Sequence, residues 1–209
     1  MDAGSFLSLL AVGVLLGLRH ALEPDHVAAV VNLVTQQNNP WKAAGVGALW
    51  GLGHLLTLAA VGGVILALHL PIPPGISAAM ELIVALALAW LGLGTLRTWK
   101  RSSFVGRSPR SPLLSPTFWG VIHGLSGSAA LVLLASSQMP SPLWAFLYVL
   151  VFGAGALLGM FLMSLAVGAP FVLVAGRVRH LQRLASVGVA LGSLAVASAI
   201  VWDFLRGGA

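Results

Sequence analysis

The chain has 209 residues, of which 58% are hydrophobic and 8% charged, with a formal net charge of +6. So apolar a composition excludes an ordinary soluble domain and predicts an all-α, polytopic membrane bundle forming one domain over 1–209. The absence of cysteine excludes disulfides, thiolate metal sites and thiol redox chemistry.

Six apolar segments follow in order, roughly 4–31, 43–69, 77–96, 117–138, 142–175 and 184–205. Each is long enough for a bilayer that needs about 20 residues. Met1-Asp2-Ala3-Gly4 carries no basic stretch and no cleavage signal, so the first segment is expected to be kept as a span. Segments one, two and five are longer than a bilayer needs and are expected to tilt, kink or run past it.

The first connection, Thr35 to Pro40, is polar and ends in a helix breaker. The second, Leu70 to Gly75, is short and uncharged. The third, 97–116, is the longest and holds Arg97, Lys100, Arg101, Arg107 and Arg110. The fourth, Met139 to Pro142, is a tight turn, and the fifth holds Arg177, Arg179, His180 and Arg183. Counting Lys42, nine of the eleven Lys and Arg residues fall on alternate connections; Arg206 lies on the other side and Arg19 inside a segment. The positive-inside rule places those connections in the cytoplasm, both termini outside, and the chain in the plasma (inner) membrane. Trp41, Trp50, Trp90, Trp99, Trp119, Trp144 and Trp202 fall mostly where interfaces are expected, as an aromatic belt would.

The halves look alike. Gly47-Ala48-Leu49-Trp50-Gly51 recurs as Gly155-Ala156-Leu157-Leu158-Gly159, and Gly17-Leu18 recurs as Gly124-Leu125. Three spans per half would invert the second copy, a 3+3 arrangement of about 1–100 and 112–209 with a substrate site at the interface.

The chemistry concentrates in Gly17-Leu18-Arg19-His20-Ala21-Leu22-Glu23-Pro24-Asp25-His26, where five ionisable side chains interrupt an apolar run. Ionisable groups inside a span are expensive and mark function. Two imidazoles and two carboxylates make a divalent-metal ligand set. On a straight helix Asp25 would point roughly 140° away from His20. Pro24 clashes with the carbonyl four residues back, so the helix should kink or break there and re-aim the ligands. Arg19 and Glu23, four apart, are expected to pair on one face, leaving His20, Asp25 and His26 for an ion.

The pattern His-x4-Asp-His, with Gly17-Leu18-Arg19 before it and Val27-Ala28-Ala29 and Asn32 after it, resembles the signature of the nickel/cobalt transporter family. Glu23-Pro24 stands where Asp-Ala is usual in that family, and Val31 where many members carry Asp. The chain has no histidine between His69 and His123, so it lacks the His-rich tract of many members.

His54, in Leu52-Gly53-His54 with Thr57 nearby, resembles the second family signature, and it falls roughly 16 Å into its segment. Thr57 is placed to orient the imidazole or join a polar path. His123 and Ser126 open the fourth segment at the place that corresponds to the first signature, and are weaker candidates together with Glu23. The alternative there is close helix packing through small residues. Glu81, His69 and His180 sit near segment ends and are expected to be bystanders.

Such a resemblance implies a permease for Ni²⁺ or Co²⁺, most similar to short urease-accessory-type members. Imidazole suits both ions. The ion would be cargo, with no cofactor and no enzymatic step. The expected partners are the metal ion and the lipid bilayer, with no nucleic acid; a homo-oligomer is compatible with the sequence. The ligands leave uptake and efflux open, and the family implies uptake. Gly124-Leu125-Ser126-Gly127 also looks like the Gly-x-Ser-Gly of rhomboid intramembrane proteases. Serine catalysis needs a histidine base within reach, and 184–205 contains none.

Overall fold

The computed structural model describes residues 3–34, 37, 39–69, 74–98, 115–125, 139–171 and 179–207. Among these there are seven helices and no strand: α1 (Ala3–His20), α2 (Pro24–Val34), α3 (Pro40–Leu68), α4 (Pro74–Thr98), α5 (Pro116–Leu125), α6 (Pro142–Pro170) and α7 (Arg179–Leu205). Four stretches are long and apolar enough to cross a membrane, Pro40–Leu68, Ala78–Arg97, Pro142–Pro170 and Leu184–Leu205, which makes this a multi-pass membrane protein. Outward-facing Leu15, Leu56, Leu86 and Leu162 are exposed, as a lipid-facing surface requires. Residues 99–114 and 172–178, which carry much of the basic charge, lie outside the described residues, as does Ser126.

Five of the seven helices begin at a proline. Proline has no N–H to donate, and the first turn of a helix would leave that N–H unpaired anyway. The rule has its largest consequence at Pro24. The first apolar segment, legible in the sequence as one run, is two helices. The chain leaves α1 through tight turns, with Leu22 N–H bonded to Arg19 O at 2.9 Å and Glu23 N–H to His20 O at 3.0 Å. The His20 carbonyl that Pro24 cannot serve is thus taken by Glu23, and α2 restarts with Val27 N–H on Glu23 O at 3.0 Å. At the other end of the next turn Asn39 caps α3, accepting from Trp41 N–H at 2.8 Å.

Packing follows from small residues. The most extensive contacts run between α3 and α6, α3 and α5, α1 and α6, and α4 and α7, with α2 lying among α3, α4, α6 and α7. A Cβ on Gly120 would overlap the Trp50 carbonyl, and one on Gly53 would overlap that of Thr117, so α5 and α3 approach backbone to backbone. The main core gathers Val30, Val34, Trp50, Leu88 and Met160 from α2, α3, α4 and α6. A second cluster, with Leu58, Tyr148, Val149 and Phe152, fills the far end of the α3–α6 contact. Trp50 corrects an expectation: it is 1% exposed and packed inside, since it falls about three turns into α3. Trp41, Trp90 and Trp202 are exposed.

Candidate metal centre

The helix break sets the site. His20 is the last residue of α1, while Asp25 and His26 are the second and third of α2. The turn between them brings onto one side groups that a continuous helix would have splayed. Against this corner pack His54, midway along α3, and His123, near the end of α5. The His20 and His26 rings lie 4.3 Å apart between centroids, His26 and His123 4.2 Å, His20 and His54 5.3 Å, and His26 and His54 5.4 Å. Four imidazoles from four helices therefore share one pocket.

Two carboxylates hold part of this set. Asp25 bridges two rings, with Oδ1 3.2 Å from His26 Nδ1 and Oδ2 3.0 Å from His123 Nε2. Glu23 Oε2 lies 2.9 Å from His20 Nδ1. A carboxylate accepts, so the facing ring nitrogens donate and the opposite nitrogens keep their lone pairs; carboxylates often present histidine to a metal in this way. His26 Nε2 is buried without a hydrogen-bond partner, and so are both ring nitrogens of His54. Burying such a group unpaired costs about 1–3 kcal/mol. The pocket thus holds lone pairs that the protein itself leaves unused.

Two groups of three ligand atoms can be drawn, each with its atoms within 4.8 Å of one another: His20, His26 and His54; and Asp25, His26 and His123. Bonds from nitrogen to a zinc-sized divalent ion run about 2.0–2.1 Å, so three atoms this near one another are close to the reach of a single ion. The walls are aromatic. Phe152 lies 5.2 Å from His20 and Trp50 5.4 Å from His123, centroid to centroid.

The structure brings His20, Asp25, His26 and His54 together, and adds His123 in direct contact with Asp25. The expected Arg19–Glu23 pair does not form. Helix α1 ends at His20, so the four-residue spacing no longer stacks the two side chains, and Glu23 turns to His20 instead. Arg19 is exposed. Thr57 does not orient His54, one of the two roles expected of it: its hydroxyl lies 3.0 Å from Gly53 O and 3.2 Å from Val121 O, joining α3 to α5. His69 caps α3 in the left-handed region, at φ 52°, and is exposed.

Sequence reasoning ranked His123 low, because its only signal is its place in the half-repeat. It named Asn32 only as part of the family pattern and gave this second buried polar group no role. Asn32 on α2 donates to Ala28 O at 2.9 Å and to Ser193 Oγ on α7, and accepts from Thr95 Oγ1 on α4 at 3.0 Å. An amide inside an apolar helical run was the available clue.

No family model matches the chain, and no solved structure does. Among curated proteins, the chain is 35% identical over 192 residues to the urease accessory protein UreH of Bacillus sp. (strain TB-90), covering 86% of this chain and 84% of that protein.

Proposed function

The chain belongs to the family of the urease accessory protein UreH, and from that premise we propose that it carries Ni²⁺ or Co²⁺ across the plasma (inner) membrane, inward. The observation that carries this reading is His54. Its imidazole is 1% exposed with neither nitrogen hydrogen-bonded, beside His20 and His26. A buried polar group without a protein partner is a cost unless something else binds it. Neutral imidazoles with one carboxylate suit nickel and cobalt better than hard cations. His20, Asp25, His26 and His54 would replace part of the ion's hydration shell, the break at Pro24 leaving His20 and His26 beside His54 on α3 and Asp25 against His123 on α5. Carriage of an ion asks for no bond making in a substrate, so no enzymatic step is invoked.

Movement of the ion follows from a six-span, inverted 3+3 architecture, and the packing supports it. Exchange α1 with α5, α3 with α6 and α4 with α7. The α1–α6 contact then becomes α5–α3, while α3–α6 and α4–α7 map onto themselves. The repeated glycines follow the same rule: Gly17 meets α6 at the Phe152 carbonyl, and Gly124 meets α3 at the His54 carbonyl. Two such halves rocking about the histidine pocket would open it to each side in turn. The basic connections then face the cytoplasm and both termini lie outside.

Uptake of radioactive nickel and cobalt into cells expressing the chain, each competed with the other, tests this. His20→Ala, Asp25→Ala, His26→Ala and His54→Ala should each lower accumulation by at least about tenfold to a hundredfold while the protein still reaches the membrane. Near-normal accumulation in two of the first three variants overturns the assignment. Cells that lose metal faster with the chain than without it reverse the direction.

A further inference from the structure

We propose that His26 serves two ion positions, one at each ring nitrogen, so that an ion crosses the pocket by changing partners around a single imidazole. This rests on the metal-carrying reading above and goes beyond it. The first position is formed by His20, His26 and His54, the second by Asp25, His26 and His123.

The geometry of the ring carries the argument. The two nitrogens of an imidazole point away from each other and cannot bind one ion together. His26 turns Nδ1 to Asp25 at 3.2 Å, and Asp25 in turn holds His123 at 3.0 Å; an ion at this second position takes the place of the protons these two nitrogens donate, each ring then carrying its proton on the opposite nitrogen. That leaves Nε2, buried and without a hydrogen-bond partner, as the edge available to His20 and His54. One ion therefore cannot use His26 for both groups, although the His26 ring lies 4.3 Å from that of His20 and 4.2 Å from that of His123. Two divalent ions on opposite edges of one ring would repel each other strongly in so dry a place. The positions are thus filled in turn rather than together. Each has one partly exposed member, His20 at 17% in the first and Asp25 at 25% in the second, while the shared His26 is 2% exposed. An ion can then meet the pocket at one position and leave it from the other. Passage requires binding weak and divided enough to let go, which two three-ligand positions provide and one five-ligand cage would not.

The test uses the purified full-length protein with Ni²⁺ alone, and uptake in cells. Wild type should bind one Ni²⁺ with no more than three imidazoles around it by X-ray absorption; four imidazoles would mean one common site and overturn the proposal. His54→Gln and His123→Gln should each still bind one Ni²⁺, weakened about tenfold, because each leaves one position whole. Uptake in both should fall at least about a hundredfold, because each breaks the path. His26→Ala should bind none. If either single variant loses binding as completely as His26→Ala, or if His123→Gln transports normally, the two-position scheme fails while the permease reading stands. Wild-type protein that binds neither Ni²⁺ nor Co²⁺ removes both. The wild-type imidazole count stands even if a variant does not fold.

Discussion

Helix α2 carries two buried polar groups of opposite design. At its start His26 keeps Nε2 without a hydrogen-bond partner, and the His54 ring beside it has neither nitrogen paired. Six residues on, about 9 Å along the helix, Asn32 meets donors and acceptors from two other helices. Its amide N–H groups reach Ala28 O and Ser193 Oγ, its carbonyl receives Thr95, and Ser193 donates back to Ala28 O at 3.2 Å. Both groups are nearly inaccessible. The Asn32 group spends its polar atoms on holding α2 to α4 and α7, whereas the histidine group keeps lone pairs in reserve at a structural cost. In an apolar setting, what a buried polar group lacks is more telling about function than what it has.

Three measurements break or sharpen that contrast. His54→Leu should have the largest effect and split two readouts. Uptake should fall at least about a hundredfold, yet the metal-free protein should melt no lower than wild type, because an apolar side chain of similar volume removes an unpaired imidazole. A clear drop in melting temperature would mean that His54 has a partner in the folded protein. Next comes acidity. Imidazole must be neutral to bind an ion, so nickel binding should weaken once the medium is acidic enough to protonate the pocket, by roughly tenfold per pH unit for each proton that competes. Nickel that stays bound with unchanged affinity at every acidity the folded protein survives would exclude imidazole ligands. The smallest effect belongs to Asn32→Ala. It removes the acceptor of the Thr95 hydroxyl and the donor to Ser193 Oγ and should cost about 1–2 kcal/mol of stability in detergent, with nickel affinity of the folded protein within about twofold of wild type. A loss of affinity larger than the loss of stability would make the Asn32 group part of the pocket.

Much of the architecture was legible because it depends on local chemistry. Proline at the first position of five helices, the apolar runs between them and the break at Pro24 all follow from neighbours in sequence. The gathering of His20, Asp25 and His26 is legible for the same reason. Arg19 and Glu23 mark the limit of such reasoning: their pairing assumed a helix that Pro24 had already ended, and Glu23 went to His20.

By itself, then, the sequence determined an all-helical multi-pass membrane chain with a broken first segment and a polar corner where it breaks. Those features rest on backbone hydrogen bonding and on the cost of charge in an apolar run, both of which act over a few residues. Only the tertiary structure decided what faces that corner. His123 is 98 residues from Asp25, and it arrives because Gly120 and Gly53 let α5 lie directly on α3. Trp50 lies inside, rather than at an interface, through that same contact. Ser193 reaches Asn32 across 161 residues. Contacts at such separations depend on which helix faces fit closely enough to touch, and side-chain volume at a few glycines sets that fit.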